Sequence, residues 1–340
     1  MLLNLLEYHW AEDIDDALLL LARTDPKTIP LAGGTYILGL SDDTIQSVVD
    51  LRDLELSYIT EDTVGSGAIH IGAMTTLQNI ADNPVLKDLA GGLLSRSALA
   101  SSFSRLIRNS ATLGGTLGAG IASQADLLTA LAVLEAEVVV RSASKTQVNL
   151  GGGTSDHPGL PLSGVTYKGK HERRIAFNGN HPLSSLNIER RPNELIIEVV
   201  IPRSIHNSGA SFMRVGRTPT DIALINVAAF VEVAGDIYKQ VRLAVGGVNM
   251  EPQRLQAVEQ QLEGQPIASI DQFDAASNAL DTKRLLTALQ TGMANFQPPS
   301  DFRASSDYRR VGGENLAFRA LEEAANIAHW RSMFSSEGRA

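Results

Sequence analysis

The residues best suited to chemistry in this sequence are glycines. Two Gly-Gly pairs stand in Ala32-Gly33-Gly34-Thr35 and Thr112-Leu113-Gly114-Gly115-Thr116, each after an apolar segment and flanked by small or hydroxyl side chains. A residue without Cβ lets backbone N–H groups come close to an anion, and neighbouring hydroxyls add donors. Two such segments suit the two phosphates of a dinucleotide. One isolated pair is more often only a tight turn. Neither segment is a Walker loop or a G-x-G-x-x-G, which argues against phosphoryl transfer and a Rossmann site. Asp126 opens an apolar helix soon after the second pair. There it suits a hydrogen bond to a ribose or ribityl hydroxyl, although Asp serves equally well as a helix N-cap. Arg214 and Arg217 precede Asp221 and by themselves read as a surface ion-pair cluster. His70 reads as a packed strand histidine. His157, His171 and His181 lack the tight spacing of a zinc helix. No G-x-S-x-G elbow occurs. The sequence nominates no catalytic acid or base and no metal ligand.

The elements that must position these residues are legible in the pattern. Ile14, Ala17, Leu18 and Leu21 fall at helical spacing behind an acidic first turn. Ile29–Ala32 and Val48–Leu51 read as short buried strands, so residues 1–55 form a small α/β unit. Ala68–Ala73 reads as a strand, with Thr75-Thr76 capping the next helix. Residues 86–104 read as helix and 107–116 as a glycine-punctuated loop. A helix follows over 127–136, then a strand at Val138–Val140. The stretch 150–193, rich in Gly, Pro, Asn, Ser and His, predicts hairpins and loops. Glu194–Pro202 is a strand that its proline ends. Phe230–Val233 and Val241–Gly247 alternate and predict a hairpin. Helices are expected at 254–263, 281–292 and 314–333. Strands followed by helices argue for α+β.

Composition narrows the function classes. The chain has 340 residues, enough for two or three domains, with 44% hydrophobic and 20% charged residues. There is no cysteine, so the chain supplies no disulfide, no thiolate metal site and no cysteine ligand to an iron–sulfur cluster. Acidic residues outnumber basic ones, 38 to 29, which argues against general nucleic-acid binding. No apolar run is long enough for a membrane span. The start, MLLNLLEYHW, lacks the basic residues of a signal peptide, so a cytoplasmic location is expected.

These segments, in this order, resemble the FAD-binding (medium) subunits of the molybdenum hydroxylases, the family of carbon monoxide dehydrogenase and xanthine dehydrogenase. PLAGGTYIL is similar to the first flavin loop. VVDLRDLEL and IHIGAMTTLQNI are similar to the next strand pair and helix entry. IRNSATLGGTLGAG with ADLLTALAVLEAEVVV is similar to the second flavin loop and its helix. NELIIEVVIPR, RVGRTPTDIALINVAAFVEV, RLAVGGVNMEPQRLQAVEQQLEG and DFRASSDYRRVGGENLAFRAL are similar to the C-terminal part.

The resemblance implies an α+β chain: a two-subdomain FAD-binding fold of the vanillyl-alcohol-oxidase (PCMH) type, over 1–55 and 56–203. A C-terminal α+β domain with a small antiparallel sheet is implied over 204–340. It implies that Ala32, Gly33, Gly34 and Thr35 contact the pyrophosphate of FAD, and that Thr112, Gly114, Gly115 and Thr116 line the second side. Asp126 then matches an acidic residue holding a flavin hydroxyl, and Ile196 an apolar residue beside the cofactor. Arg214 stands where the family usually carries Lys, which keeps the charge but not the geometry. Implied partners are an iron–sulfur small subunit with two 2Fe–2S clusters and a large subunit with the molybdenum cofactor, in a dimer of heterotrimers. Electrons would pass through FAD to an acceptor such as NAD or quinone. The missing cysteines fit clusters held by another chain. The chain departs from the family at Thr116, where Asn or Asp is usual, and in Ile121–Ala125, one residue longer; the 150–190 insert is also long. The alternatives are a stand-alone flavin oxidase, or a scaffold subunit that has lost FAD.

Overall fold

A computed structural model describes residues 4–23, 25–62, 66–120, 125–147, 165–177, 194–203, 207–218, 220–267 and 275–337. The first unit is a three-stranded parallel sheet, β1 (Glu7–Trp10), β2 (Thr28–Leu31) and β3 (Ser47–Asp50), in the order β1-β3-β2. Helix α1 (Ile14–Leu21) starts at Asp13, whose side chain accepts from the Asp16 N–H. It buries Ala17, Leu18 and Leu21, as the spacing predicts. Strand β1 was not expected, because Tyr8 and Trp10 stay largely exposed and leave no apolar signal.

The second unit is an antiparallel five-stranded sheet. It is built from β4 (Ile59–Glu61), β5 (Ile69–Gly72), β6 (Ala136–Gln147), β7 (Val165–Phe177) and β8 (Glu194–Ile201), in the order β4-β5-β8-β6-β7. Its two faces serve two cores. Val138, Val140, Ile196, Val199 and Ile201 face a helical layer. Val139, Leu195, Ile197 and Val200 face the N-terminal unit. Alternation of side chains along each strand divides them this way, with the parity shifted in β8 by a bulge at Ile197, which lies between the pairs Val139–Glu198 and Val140–Ile196. Of the stretch expected to form hairpins and loops, Val165–Phe177 pairs with β6, and the remainder lies outside the described residues.

The helical layer comprises α2 (Leu77–Asp82), α3 (Pro84–Asp88), α4 (Leu93–Ser101), α5 (Arg105–Ser110), α6 (Leu113–Ala119) and α7 (Ala125–Val133). Thr76 caps α2 as expected, its hydroxyl accepting from the Asn79 N–H. Two expectations fail here. The helix expected over 86–104 is broken, because Ala90, Gly91 and Gly92 all take positive φ, at 47°, 67° and 76°. The loop expected over 107–116 is instead the end of α5 and the start of α6.

The third unit is an antiparallel sheet, β9 (Ser208–Val215), β10 (Ile225–Ala234), β11 (Ile237–Gly247) and β12 (Met250–Arg254), in the order β12-β11-β10-β9. The expected hairpin is β10-β11. Ala228 and Phe230 pack on the helical layer. Ile225, Val227, Ala229, Val231 and Val233 pack on α8 (Gln256–Leu262), α9 (Ala275–Gly292) and α10 (Ser306–Glu337). Helix α10 begins earlier than expected, running through Gly312-Gly313. A Cβ at Gly313 would lie 2.7 Å from the Ile225 side chain, so close packing on the sheet retains the glycine. In the first turn of α10, the fully buried Arg309 donates to the Val248 carbonyl at 2.9 Å and meets Asp301 at 2.8 Å. The fold is α+β.

Candidate functional site

A cleft with a volume of about 300 Å³ lies where the N-terminal unit meets the helical layer. One wall is the segment after β2, from Ala32 to Leu40. The opposite wall is α6, through Thr112, Gly114, Gly115, Gly118 and Ala119. Leu51, Leu56, Ala73, Met74, Leu195 and Ile196 supply apolar surface, and Lys27 and Asp42 stand among the lining residues.

The first wall is shaped by the end of a parallel ladder. The Leu51 N–H donates to the Leu31 carbonyl at 3.0 Å, and the chain then leaves the sheet. It turns at Gly34, whose φ of 71° lies in the left-handed region that favours glycine. The Leu38 N–H closes the turn on the Gly34 carbonyl at 3.2 Å. Among the described residues, the N–H groups of Gly33, Gly34, Thr35 and Tyr36 have no acceptor. Successive unclaimed N–H groups in a turn form a concave donor set for an anion. Gly33 itself is pressed against α5: a Cβ there would lie 1.7 Å from the Ser110 carbonyl oxygen.

The second wall is built differently. Thr112 is the N-cap of α6, and its hydroxyl accepts from the Gly115 N–H at 3.1 Å. The Leu113 N–H donates to the Thr75 carbonyl at 2.9 Å, and the Gly114 N–H to the Ala73 carbonyl at 2.8 Å. The Thr116 N–H donates to the Thr112 carbonyl at 2.9 Å. The N–H groups of Leu113, Gly114 and Gly115, which a helix start leaves open, are therefore taken within the chain. Gly114 has no space for a side chain, since a Cβ would sit 2.7 Å from that of Ala73.

Of the residues nominated from the sequence, Ala32, Gly33, Gly34, Thr35, Thr112, Gly114, Gly115 and Ile196 meet at this cleft. Thr116, Asp126 and Arg214 do not line it. Thr116 is buried in α6, and its hydroxyl has no hydrogen-bond partner among the described residues. Asp126 lies in the first turn of α7, buried against the C-terminal sheet. One carboxylate oxygen meets Arg214 Nε at 3.2 Å, and the other accepts from Asn226 Nδ2 at 2.5 Å. The Thr129 hydroxyl donates to Asn226 Oδ1 at 2.8 Å. Burial pushes the Asp126 carboxyl above its ordinary range, while Arg214 and Asn226 pull the other way. Asp126 and Arg214 are thus brought to each other, in a link between helical layer and C-terminal sheet. Sequence reading passed over Lys27, Met74 and Leu195. Lys27 donates to the Thr44 hydroxyl at 2.8 Å, a contact with no sequence signal, whereas Leu195 sits beside Ile196 in a strand already recognised.

Residues 4–151 match the family model for the FAD-binding domain in molybdopterin dehydrogenase. Residues 210–324 match the model for the CO dehydrogenase flavoprotein C-terminal domain. The glyceraldehyde dehydrogenase medium chain of Sulfolobus acidocaldarius is 26% identical over 94% of this chain and 98% of its own length. The carbon monoxide dehydrogenase medium chain of Hydrogenophaga pseudoflava is 22% identical over 94% of this chain and 96% of its own. Among solved structures, quinoline 2-oxidoreductase from Pseudomonas putida 86 superposes with a TM-score of 0.72 at 21% identity, covering 95% of this chain and 98% of that one. Fold and module order define an oxidoreductase flavoprotein chain. The chain belongs to the FAD-binding medium subunits of the molybdenum hydroxylase family.

Proposed function

We propose that the chain holds FAD in this cleft and relays electrons within a molybdenum hydroxylase assembly. The observation that carries the reading is the row of unclaimed N–H groups at Gly33–Tyr36, in residues that line a cleft with apolar walls. The N–H groups suit the pyrophosphate, and the apolar surface of Leu51, Leu56, Met74, Leu195 and Ile196 suits the flat rings. Thr112, Gly114 and Gly115 shape the second side, where the absence of side chains keeps the cleft open. Thr116, Asp126 and Arg214 do not line the cleft, and Asp126 holding a flavin hydroxyl requires its buried carboxylate to become reachable from it. When bound, FAD supplies the capacity to take and give electrons one or two at a time. The chain's own residues bind it, orient it and shield it from water.

The wider reading assigns 1–55 and 56–203 to FAD binding and 204–340 to a C-terminal domain. The absence of cysteine supports electron supply from 2Fe–2S clusters of a small subunit, with the molybdenum cofactor in a large subunit. A dimer of heterotrimers in the cytoplasm, with NAD or quinone as acceptor, completes it. The family is named for CO dehydrogenase and molybdopterin dehydrogenase, which supports this assembly. The test is the visible spectrum of the purified chain before and after added FAD, with heat-released cofactor identified by chromatography. Close to one FAD per chain is expected. No flavin after reconstitution would favour a scaffold subunit, for which the burial of Asp126 outside the cleft lining speaks.

A further inference from the structure

His70 is flanked by two carboxylates that the cleft does not use. Its Nδ1 lies 2.9 Å from Glu198 Oε1, and its Nε2 lies 3.4 Å from Asp62 Oδ1. Glu198 Oε2 also accepts from the Tyr58 hydroxyl at 2.8 Å, and Asp62 Oδ2 from the Ser66 hydroxyl at 3.0 Å. A carboxylate only accepts, so each ring nitrogen must carry a proton, and only the charged imidazolium carries both. The geometry therefore selects protonated His70. Burial pulls its pKa down, but Glu198 and Asp62 together raise it above the ordinary value. Burial and then Glu198 raise that of Tyr58, so its hydroxyl stays a donor while His70 titrates. The other charged groups around this part of the sheet pair elsewhere. Glu137 meets Arg174 at 2.8 Å, Arg141 Nε donates to Glu172 at 2.9 Å, and Glu61 binds Arg203 at 3.1 Å. From the α1 side, Asp13 and Asp15 stand with Arg141 around a separate hollow.

The cluster joins three strands. His70 is in β5, Glu198 is in β8, and Asp62 directly follows β4. Strand β4 lies at the edge of the sheet and, among the described residues, pairs only with β5. It is three residues long, so side chains reaching across the strands carry more of its hold than in a long ladder. The chain just ahead of β4 forms part of the cleft. The Gly72 N–H donates to the Tyr58 carbonyl at 2.9 Å, and the Met74 N–H to the Leu56 carbonyl at 2.8 Å. Leu56 and Met74 both line the cleft.

We propose that Asp62, His70 and Glu198 form a proton-operated latch, which holds β4 to the sheet and with it the Leu56–Met74 wall of the cleft. Protonated His70 closes the latch. Loss of the proton leaves one carboxylate facing a bare ring nitrogen, and the edge loosens. The latch stands on the strand geometry, and its consequence for flavin rests on the proposed function.

The test uses the full chain, as wild type and His70→Gln, first without flavin. The His70 contribution to stability is full below the ordinary histidine pKa of about 6.5 and is lost as pH rises through the higher folded value. The melting temperature of wild type minus that of His70→Gln should therefore be largest at about pH 6 and shrink toward about pH 9. Amide protection at Gly72 and Met74, corrected for the intrinsic pH dependence of exchange, should fall about tenfold over that range in wild type and stay constant in His70→Gln. Asp62→Asn, at a more exposed position, removes one carboxylate and should move the wild-type midpoint to lower pH. With FAD added, flavin release should quicken at high pH in wild type and not in His70→Gln. A melting difference independent of pH, or an unmoved midpoint in Asp62→Asn, would overturn the latch. Unchanged protection at Met74 across the titration would overturn its link to the cleft. No flavin uptake at any pH would overturn the proposed function and not the latch, which melting and exchange decide.

Discussion

The two glycine pairs look alike in sequence and differ in structure. At Ala32–Tyr36 the chain turns away from a sheet and leaves the N–H groups of Gly33–Tyr36, in residues that line the cleft, without an acceptor among the described residues. At Thr112–Thr116 the same dipeptide forms the first turn of a helix, and each N–H from Leu113 to Thr116 is already engaged by Thr75, Ala73 or Thr112. The first pair has donors to offer a ligand. The second gives the ligand room and holds α6 against Ala73. The difference comes from what precedes each pair. A strand end releases its N–H groups, whereas a capped helix start consumes them.

The largest effect that tests this contrast is expected from Gly33→Ala. Its Cβ would lie 1.7 Å from the Ser110 oxygen, so the loop and α5 must separate. Overpacking on that scale costs about 3 kcal/mol. Flavin should be lost together with stability, read by melting temperature and by absorbance. Gly115→Val comes next. Its Cβ would meet Thr112 Oγ1 at 2.9 Å and Ala32 Cβ at 3.5 Å, disturbing the cap and pressing on the opposite wall. A loss of about 2 kcal/mol is expected, with flavin retention abolished. Full flavin occupancy in that variant would show that the second pair does not bound the site.

Thr112→Val sharpens the comparison. It removes the cap on Gly115 and should cost about 1 kcal/mol. With the hydroxyl acting as a cap and not as a ligand contact, FAD affinity should stay within about threefold, by titration of the flavin absorbance. A larger loss would mean that the hydroxyl serves the ligand.

The smallest effect concerns the buried link behind α6. Burial raises the Asp126 pKa above its ordinary value, against the pull of Arg214 and Asn226. The folded chain then holds this proton more tightly than the unfolded chain. The Asp126 contribution is full below the ordinary carboxylate pKa of about 3.9 and is lost as pH rises through the folded value. The melting temperature of wild type minus that of Asp126→Asn should therefore fall as pH rises from about 4. A constant difference would remove the titration from the account.

Much of this was legible in the sequence, and the failures have physical causes. The α1 spacing, the Thr76 cap, the β10-β11 hairpin and the α+β order of the third unit follow from periodicity and turn chemistry. The helices around the second glycine pair do not, because Gly is a poor helix former. Ser104 and Thr112 caps and hydrogen bonds to the 73–75 segment override that preference. The cleft residues from both pairs were nominated together. The open state of one pair and the closed state of the other depend on partners more than thirty residues away, such as Ala73 for Gly114. The Asp126–Arg214 contact joins positions 88 apart in the chain and had no local signal.

The most direct test of the central claim is amide hydrogen exchange, followed with and without FAD. Without FAD, the amides of Gly33–Tyr36 should exchange fast and those of Leu113–Thr116 slowly. FAD should slow the first set at least tenfold and leave the second set unchanged. Unchanged exchange at Gly33–Tyr36 with flavin bound, or new protection confined to Leu113–Thr116, would contradict the account.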